Sequence, residues 1–285
     1  KKEMKKIVLS VMVASLTLAL GASTSFAAKK KGYAAGAAGA GSITGTVSLG
    51  GTAMAPIMED LSKGKNVEFC ITHPEAKGNI RPRIKVAAAG GKLQDAVVFI
   101  ENIDGGKPWG DGGKMLFDFE KCDIKQKMGA VRKPSKAEKK AGGLVKVINQ
   151  DADILHNPHG YSVVGASRKT LFNKPLPSKG DVADVTKNIA RLKQKKDKHF
   201  FLQCDQHNYM EADARIVWNP YYAITGADGS FKIEGIPAGK YKVTAWQPYV
   251  GESTTEVTVA DGAAKADFTR SEERRVGKEC RSRWS

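Results

Sequence analysis

Apolar and polar residues alternate with a period of two along much of this chain, the pattern of half-buried β-strands. It runs through Ile43-Thr44-Gly45-Thr46-Val47-Ser48-Leu49, Ile84-Lys85-Val86, Asp95-Ala96-Val97-Val98-Phe99-Ile100-Glu101 and Leu116-Phe117-Asp118-Phe119. Val147-Ile148-Asn149, Phe200-Phe201-Leu202-Gln203 and Ala214-Arg215-Ile216-Val217-Trp218 read as further strands. Beyond residue 219, Asp228-Gly229 and Pro237-Ala238-Gly239 separate alternating runs and predict successive hairpins. A helical period is evident between Asp181 and Lys193, through Val182, Val185, Ile189 and Leu192. The expected fold is mainly β, with a short inserted helix.

The two ends fall outside this pattern. Lys1-Lys2-Glu3-Met4-Lys5-Lys6 precedes an apolar run from Ile7 to Ala22, and Ser23-Thr24-Ser25-Phe26-Ala27 follows. A basic start, a short apolar core and a small-x-Ala ending read as a secretory signal peptide over residues 1–27, with the natural start expected at Met4. The run is short for a membrane span, so no stable membrane insertion is expected after cleavage. Residues 28–42, rich in Gly and Ala without an apolar period, read as a flexible linker. From Arg270 to Ser285 the composition changes abruptly, and the stretch resembles translated adapter DNA; it is read as a non-native tail.

These ends change the charge. The chain carries 46 Lys and Arg against 30 Asp and Glu, a formal +16. Without the leader (four Lys, one Glu) and the tail (six Lys or Arg, three Glu) the charge falls to +10. Both signs are mixed along the chain, and nucleic acid is not an expected partner. Basic residues still concentrate in two runs, 125–140 and 187–198.

The chemistry concentrates in Cys204-Asp205-Gln206-His207-Asn208-Tyr209-Met210, directly after the strand at 200–203. A thiolate, an imidazole and a thioether in Cys-x2-His-x2-Met spacing suit a soft metal, copper above all. Zinc fits poorly, because Met is a weak zinc ligand and no second Cys lies near by. With Cys204 on a metal and Cys280 in the tail, Cys70 and Cys122 remain to pair as a disulfide, which an exported chain would keep. His73, in Cys-x2-His spacing from Cys70, reads as a surface histidine, as does His159.

A second motif lies upstream: Val147-Ile148-Asn149-Gln150-Asp151-Ala152-Asp153-Ile154-Leu155-His156-Asn157, a strand, a polar turn and then His-Asn. The two motifs, 48 residues apart from His156 to Cys204, together resemble the cupredoxin family of small blue-copper proteins. The resemblance implies a Greek-key β-barrel or sandwich holding one type 1 copper through His156, Cys204, His207 and Met210. Asn157 would tie the two ligand loops together. It also implies that His207, on the final loop, lies close to the surface and serves as the exit for the electron. A second resemblance covers the hairpins after residue 219, whose Thr-x3-Gly-x-Phe and Pro-x-Gly-x-Tyr signatures are similar to a carboxypeptidase regulatory-like β-sandwich. The stretch is too short for that sandwich, and Gly45-Thr46-Val47 and Ala96-Val97-Val98-Phe99 supply its missing strands. The expected organisation is a sandwich split between 43–110 and 219–269, with a cupredoxin at 111–218 inserted into it; a tandem arrangement is the rival.

A mononuclear site of this kind implies one-electron transfer rather than catalysis, in the periplasm or outside the cell. The chain shows no paired His-x-His for additional coppers and no Cys-x2-Cys-His for haem. Copper handling is the alternative, although the seven Met and five His form no tracts; a docking module carrying copper as a passenger is another. The expected partner is a separate redox protein. If either basic run borders His207, that partner is an acidic-faced cytochrome.

Overall fold

The computed structural model describes residues 32–194 and 196–271; the leader at 1–27 and most of the tail lie outside the described residues. Strand dominates over helix by 47% to 7%, so the fold is mainly β. The strands form open, facing sheets, and none closes into a barrel.

One five-stranded sheet runs in the order Met128–Val131, Glu211–Ile216, His199–Cys204, Pro158–Val164, Ser167–Asn173. Val182–Asp184, Val145–Asn149 and Met115–Phe119 form a three-stranded sheet. Alternation decides which residues share the core: Phe117 and Phe119 are buried while Leu116 is exposed, and Val145 and Val147 are buried around an exposed Lys146. These side chains pack with Phe200, Leu202, Cys204 and Met210 in one hydrophobic core. Phe117 and Phe200 stack across it, ring centroids 5.7 Å apart.

A second core joins strands far apart in sequence. Gly41–Gly50 pairs with Ser230–Ile236, Gly262–Lys265 and Phe268–Ser271, while Val97–Ile100 lies between Tyr222–Ile224 and Gly239–Gln247. Ile43, Val47, Val98 and Ile100 are buried there with Phe231, Ile233, Val243 and Phe268. Arg215, at the end of the first sheet, reaches this second body. Its guanidinium lies 4.4 Å from the Phe99 ring centroid and 2.6 Å from the Glu252 carboxylate.

Several expectations need correction. Part of the stretch read as linker is ordered: Ala34–Ala35 pairs in parallel with Gly105–Gly106, and the Tyr33 hydroxyl donates to the Lys107 carbonyl at 2.5 Å. The Gly-rich composition reflects close approach, since a Cβ at Gly39 would fall 2.2 Å from the Ile236 carbonyl oxygen. At the other end, the strand Phe268–Ser271 takes in the first two residues assigned to the tail, and Arg270 Nε donates to the Val250 carbonyl at 3.2 Å. Residues 84–86 are not a strand; Ile80–Arg83 is, paired with Ile57–Asp60. The helix expected from 181 shrinks to Thr186–Ile189, because Val182–Asp184 is taken as an edge strand by Val145–Asn149. Val185, Ile189 and Leu192 are nevertheless buried, as the helical spacing required.

The segment 57–83 also departs from the expected division. It precedes the Cys204–Met210 loop by far, yet Leu61 and Cys70 lie in the first core with Cys204 and Met210. Cys70 and Cys122 are joined by a disulfide, with Cα atoms 5.3 Å apart. Arg81, only 6% exposed, fastens the returning strand by donating to the Cys122 carbonyl at 2.9 Å and pairing with Asp123 at 2.7 Å.

Candidate metal centre

The ligand loop grows directly from the strand His199–Cys204. The Cys204 N–H donates to the Met210 carbonyl at 3.1 Å, His207 N–H to Cys204 O at 3.2 Å and Met210 N–H to His207 O at 2.9 Å. These bonds fold seven residues into a tight loop with Cys204, His207 and Met210 all buried. The His156 loop lies against it. Asp205 N–H donates to the Asn157 carbonyl at 3.0 Å, and the Asn157 amide N–H points at Cys204 Sγ at 3.4 Å. Asn157 Nδ2 adds a contact to Asp205 at 3.4 Å. Asn157 therefore links the two loops.

Among the described residues, two groups of three have ligand atoms within 4.8 Å of one another: His156, Cys204 and His207, and Cys70, Cys122 and His207. The second contains the disulfide, which has no thiolate to offer. In the first, Cys204 Sγ lies 3.7 Å from Nδ1 of His156 and 3.7 Å from Nδ1 of His207. One ion with sulfur at about 2.3 Å and nitrogen at about 2.0 Å, at an angle between tetrahedral and trigonal, would separate those two atoms by about 3.6 Å. Each sulfur–nitrogen separation thus fits a shared metal. Met210 is fully buried in the same core.

The electrostatics suit a bound cation. Burial raises the Cys204 pKa, but hydrogen bonds from His156 and His207 and the Asn157 N–H outweigh it and bring the thiol down to about 6. Burial lowers that of His156, yet the Asp151 carboxylate and Cys204 carry it upward overall. Burial likewise opposes ionisation of Asp151, whose pKa is nevertheless lowered by His156 and the N–H groups of Cys122 and Lys121.

Two contributors to the site were not assigned from the sequence. Asp151 Oδ2 lies 2.9 Å from His156 Nε2. The carboxylate also accepts the N–H groups of Lys121 and Cys122, at 2.5 and 2.9 Å, which successive left-handed φ values of 53° and 52° aim at it. Its signal was an acidic residue in the polar turn, five positions before His156. Asn66 is the other, with Oδ1 3.2 Å from His207 Nε2. Separated from His207 by 141 positions, it left no trace in any local motif.

His207 is 1% exposed, which corrects the expectation of a surface histidine. The 57–83 segment covers it. His159, by contrast, is half-buried and turned to Asp205 at 3.1 Å and to Thr170 at 2.9 Å, outside the ligand group. His73 pairs with Asp123 at 3.6 Å. Nor does the helix of the first basic run, Lys136–Ala141, border His207. The helix Lys136–Ala141 and residues 186–189 lie where the strand 145–149 begins, Thr186 Oγ1 accepting from Leu144 N–H. The ligand loops lie beyond its other end, next to Asn149.

Residues 219–266 match the family described as polysaccharide lyase family 4, domain II. That replaces the carboxypeptidase regulatory-like assignment for this stretch. No curated protein matches the chain. Among solved structures, a reduced Cu(I) form of an amicyanin mutant is 15% identical, over 37% of this chain and 84% of that one, with a TM-score of 0.23. A reduced amicyanin of another mutant is 16% identical over 37% of this chain and 83% of its own, at 0.24. The copper-containing nitrite reductase of Thermus scotoductus SA-01 is 15% identical, over 46% of this chain and a quarter (25%) of that one, also at 0.24. At those scores the likeness is slight; the residues of the centre themselves, two imidazoles and a thiolate, form a candidate metal-binding group.

Proposed function

We propose that the chain is an exported blue-copper protein that carries single electrons between redox partners, and that it is not an enzyme. The observation that carries this is the buried trio His156 Nδ1, Cys204 Sγ and His207 Nδ1, with sulfur 3.7 Å from each nitrogen. Copper held there, with Met210 as the weak axial ligand, would supply one-electron chemistry. Cys204 offers the thiolate, and its lowered pKa keeps that form available at neutral pH. Asp151 orients His156 through Nε2, leaving Nδ1 free to bind. The bonds that close the 204–210 loop fix the geometry, so little moves as charge changes.

The Cys70–Cys122 disulfide supports placement in an oxidising compartment, the periplasm or outside the cell. The division into a copper-binding segment at 111–218 and a β-sandwich assembled from 43–110 and 219–269 is part of the same proposal, with 57–83 packed on the copper side. The partner is a separate redox protein. The exposed lysines of 136–140 lie away from His207 and do not form its docking face.

The test is a visible and electron paramagnetic resonance spectrum of the oxidised protein with its metal content measured. One copper per chain and intense thiolate-to-copper absorption are expected. A colourless protein carrying stoichiometric zinc would overturn the assignment.

A further inference from the structure

We propose that Asn66 is a positioning residue for His207, and that segment 57–83, pinned by the Cys70–Cys122 disulfide, caps the histidine edge of the centre. The inference rests on reading His156, Cys204, His207 and Met210 as one metal site.

The cap meets the ligand loop at three of its side chains, Gln206, His207 and Tyr209. Lys65 Nζ donates to Gln206 Oε1 at 2.7 Å. Asn66 Oδ1 lies 3.2 Å from His207 Nε2. Farther along, Arg81 places its guanidinium 5.9 Å from the ring centroid of Tyr209. The disulfide sulfurs and a ring nitrogen of His207 lie within 4.8 Å of one another, so the pin is set beside the histidine it covers. Together these contacts account for the 1% exposure of His207.

Asn66 does more than cover. A carbonyl oxygen only accepts hydrogen bonds, so its contact requires the proton of His207 on Nε2. In the neutral ring Nδ1, the atom facing Cys204, is then left with its lone pair, and only the protonated ring donates to the thiolate. The same logic holds at His156, where the Asp151 carboxylate takes the Nε2 proton. Two segments remote from the ligand loop thus fix the two imidazoles in the same tautomer. Asn66 reaches its place through a left-handed backbone, φ 54°. Asn and Gly tolerate that region where most side chains do not. A docking partner therefore meets the cap rather than the His207 ring.

The backbone conformation selects the test. Asn66→Gly keeps the left-handed φ and removes the acceptor, while Asn66→Asp keeps an acceptor oxygen. Nitrogen-resolved NMR of the His207 ring in the metal-free, disulfide-intact protein reports both tautomer and Nε2–H exchange. The native protein should show one Nε2–H tautomer with slow exchange. In Asn66→Gly, exchange should quicken by at least about tenfold, the loss of one hydrogen bond, and both tautomers should appear; Asn66→Asp should restore the native behaviour. Reducing the disulfide of the unsubstituted protein with a phosphine should quicken exchange as well, and this arm stands even if Asn66→Gly fails to fold. Exchange unchanged in Asn66→Gly, or unchanged on reduction, would overturn the cap. A metal-free readout keeps the two ideas apart: a chain that never binds copper defeats the electron-carrier reading alone, and a blue protein with a freely exchanging His207 defeats the cap alone.

Discussion

Asp151 and His156 are five positions apart, and their side chains meet at 2.9 Å in the core of the first domain-sized body, both almost fully buried. The same carboxylate receives the N–H of Cys122, so the disulfide turn and a candidate ligand share one anchor. Removing its charge should loosen both. Asp151→Asn keeps one oxygen acceptor but brings amide N–H groups toward a cluster of donors. Copper affinity should fall by roughly 10- to 100-fold, the usual cost of losing such an orienting partner. Competition with a chelator measures it, and an unchanged affinity would remove Asp151 from the site.

The ligands themselves separate by role. Cys204→Ser should abolish the intense visible absorption, because the charge transfer arises at the thiolate. Met210→Gln should retain copper and colour while shifting the reduction potential, as an axial ligand tunes but does not hold the site. Loss of copper in Met210→Gln with the loop still folded would contradict the axial assignment.

Metal-free protein should show an ionised thiol at unusually low pH. Burial works against the Cys204 thiolate, but His156, His207 and the Asn157 N–H bring its pKa down to about 6, from an ordinary 9.0. A lowered folded-state value means that this group's contribution to stability is complete above about 9 and is lost as pH falls through about 6. His156 works in the other direction. Its pKa is raised above 6.5, so its contribution is complete below that and fades as pH climbs through the higher value. On account of Cys204, stability should rise from about pH 6 and level off above about 9, with His156 opposing the rise as it loses its proton. Thiolate absorbance in the ultraviolet, compared with Cys204→Ser, checks the midpoint; titration near 9 would refute it.

Away from the site, Arg132 is a point of leverage. It is 3% exposed, forks onto Glu138 at 2.8 and 2.5 Å, and places its guanidinium 4.6 Å from the Trp109 ring centroid. Glu138 also completes a capping box with Ser135 at the start of Lys136–Ala141. Glu138→Ala removes the box and strands a buried cation, and should cost about 2 kcal/mol. The hydrogen bond from Arg132 chiefly holds the Glu138 pKa at about 2, below its ordinary 4.5. Its contribution should therefore be present above pH 4.5 and be lost as pH falls toward 2. Denaturant unfolding of both proteins at neutral and acid pH tests the size and the sign.

Lys136, Lys139 and Lys140 are exposed on that helix, before the strand Val145–Asn149 begins. At about 3.3 Å per residue the strand alone puts them more than roughly 13 Å from the ligand loops. That exceeds the Debye length of about 8 Å at physiological salt. Replacing all three with Glu should leave electron exchange with a cytochrome, and its salt dependence, unchanged. A marked slowing with an acidic cytochrome would make this helix part of a docking face.

What the sequence determined, it determined locally. A period of two placed such strands as Gly41–Gly50, Met115–Phe119 and His199–Cys204, because a strand with one face buried must alternate. Cys204, His207 and Met210 were legible together because a single short loop carries them, and His156 because its strand and turn have a shape of their own. The pairing of Cys70 with Cys122 followed from counting cysteines. Tertiary structure decided what depends on distant neighbours. Val182–Asp184 became a strand because Val145–Asn149 offered a free edge, overriding a helical period that still held for Val185 and Ile189. From residue 32 on, the Gly-rich stretch is ordered, and Gly39 lets one backbone pass against Ile236 where a side chain would collide. His207 is closed off because Asn66, from a segment 141 positions earlier, lies over it. No periodicity or motif encodes such a meeting: it arises only when Leu61 and Cys70 enter the core shared with Cys204 and carry the intervening residues across the ligand loop.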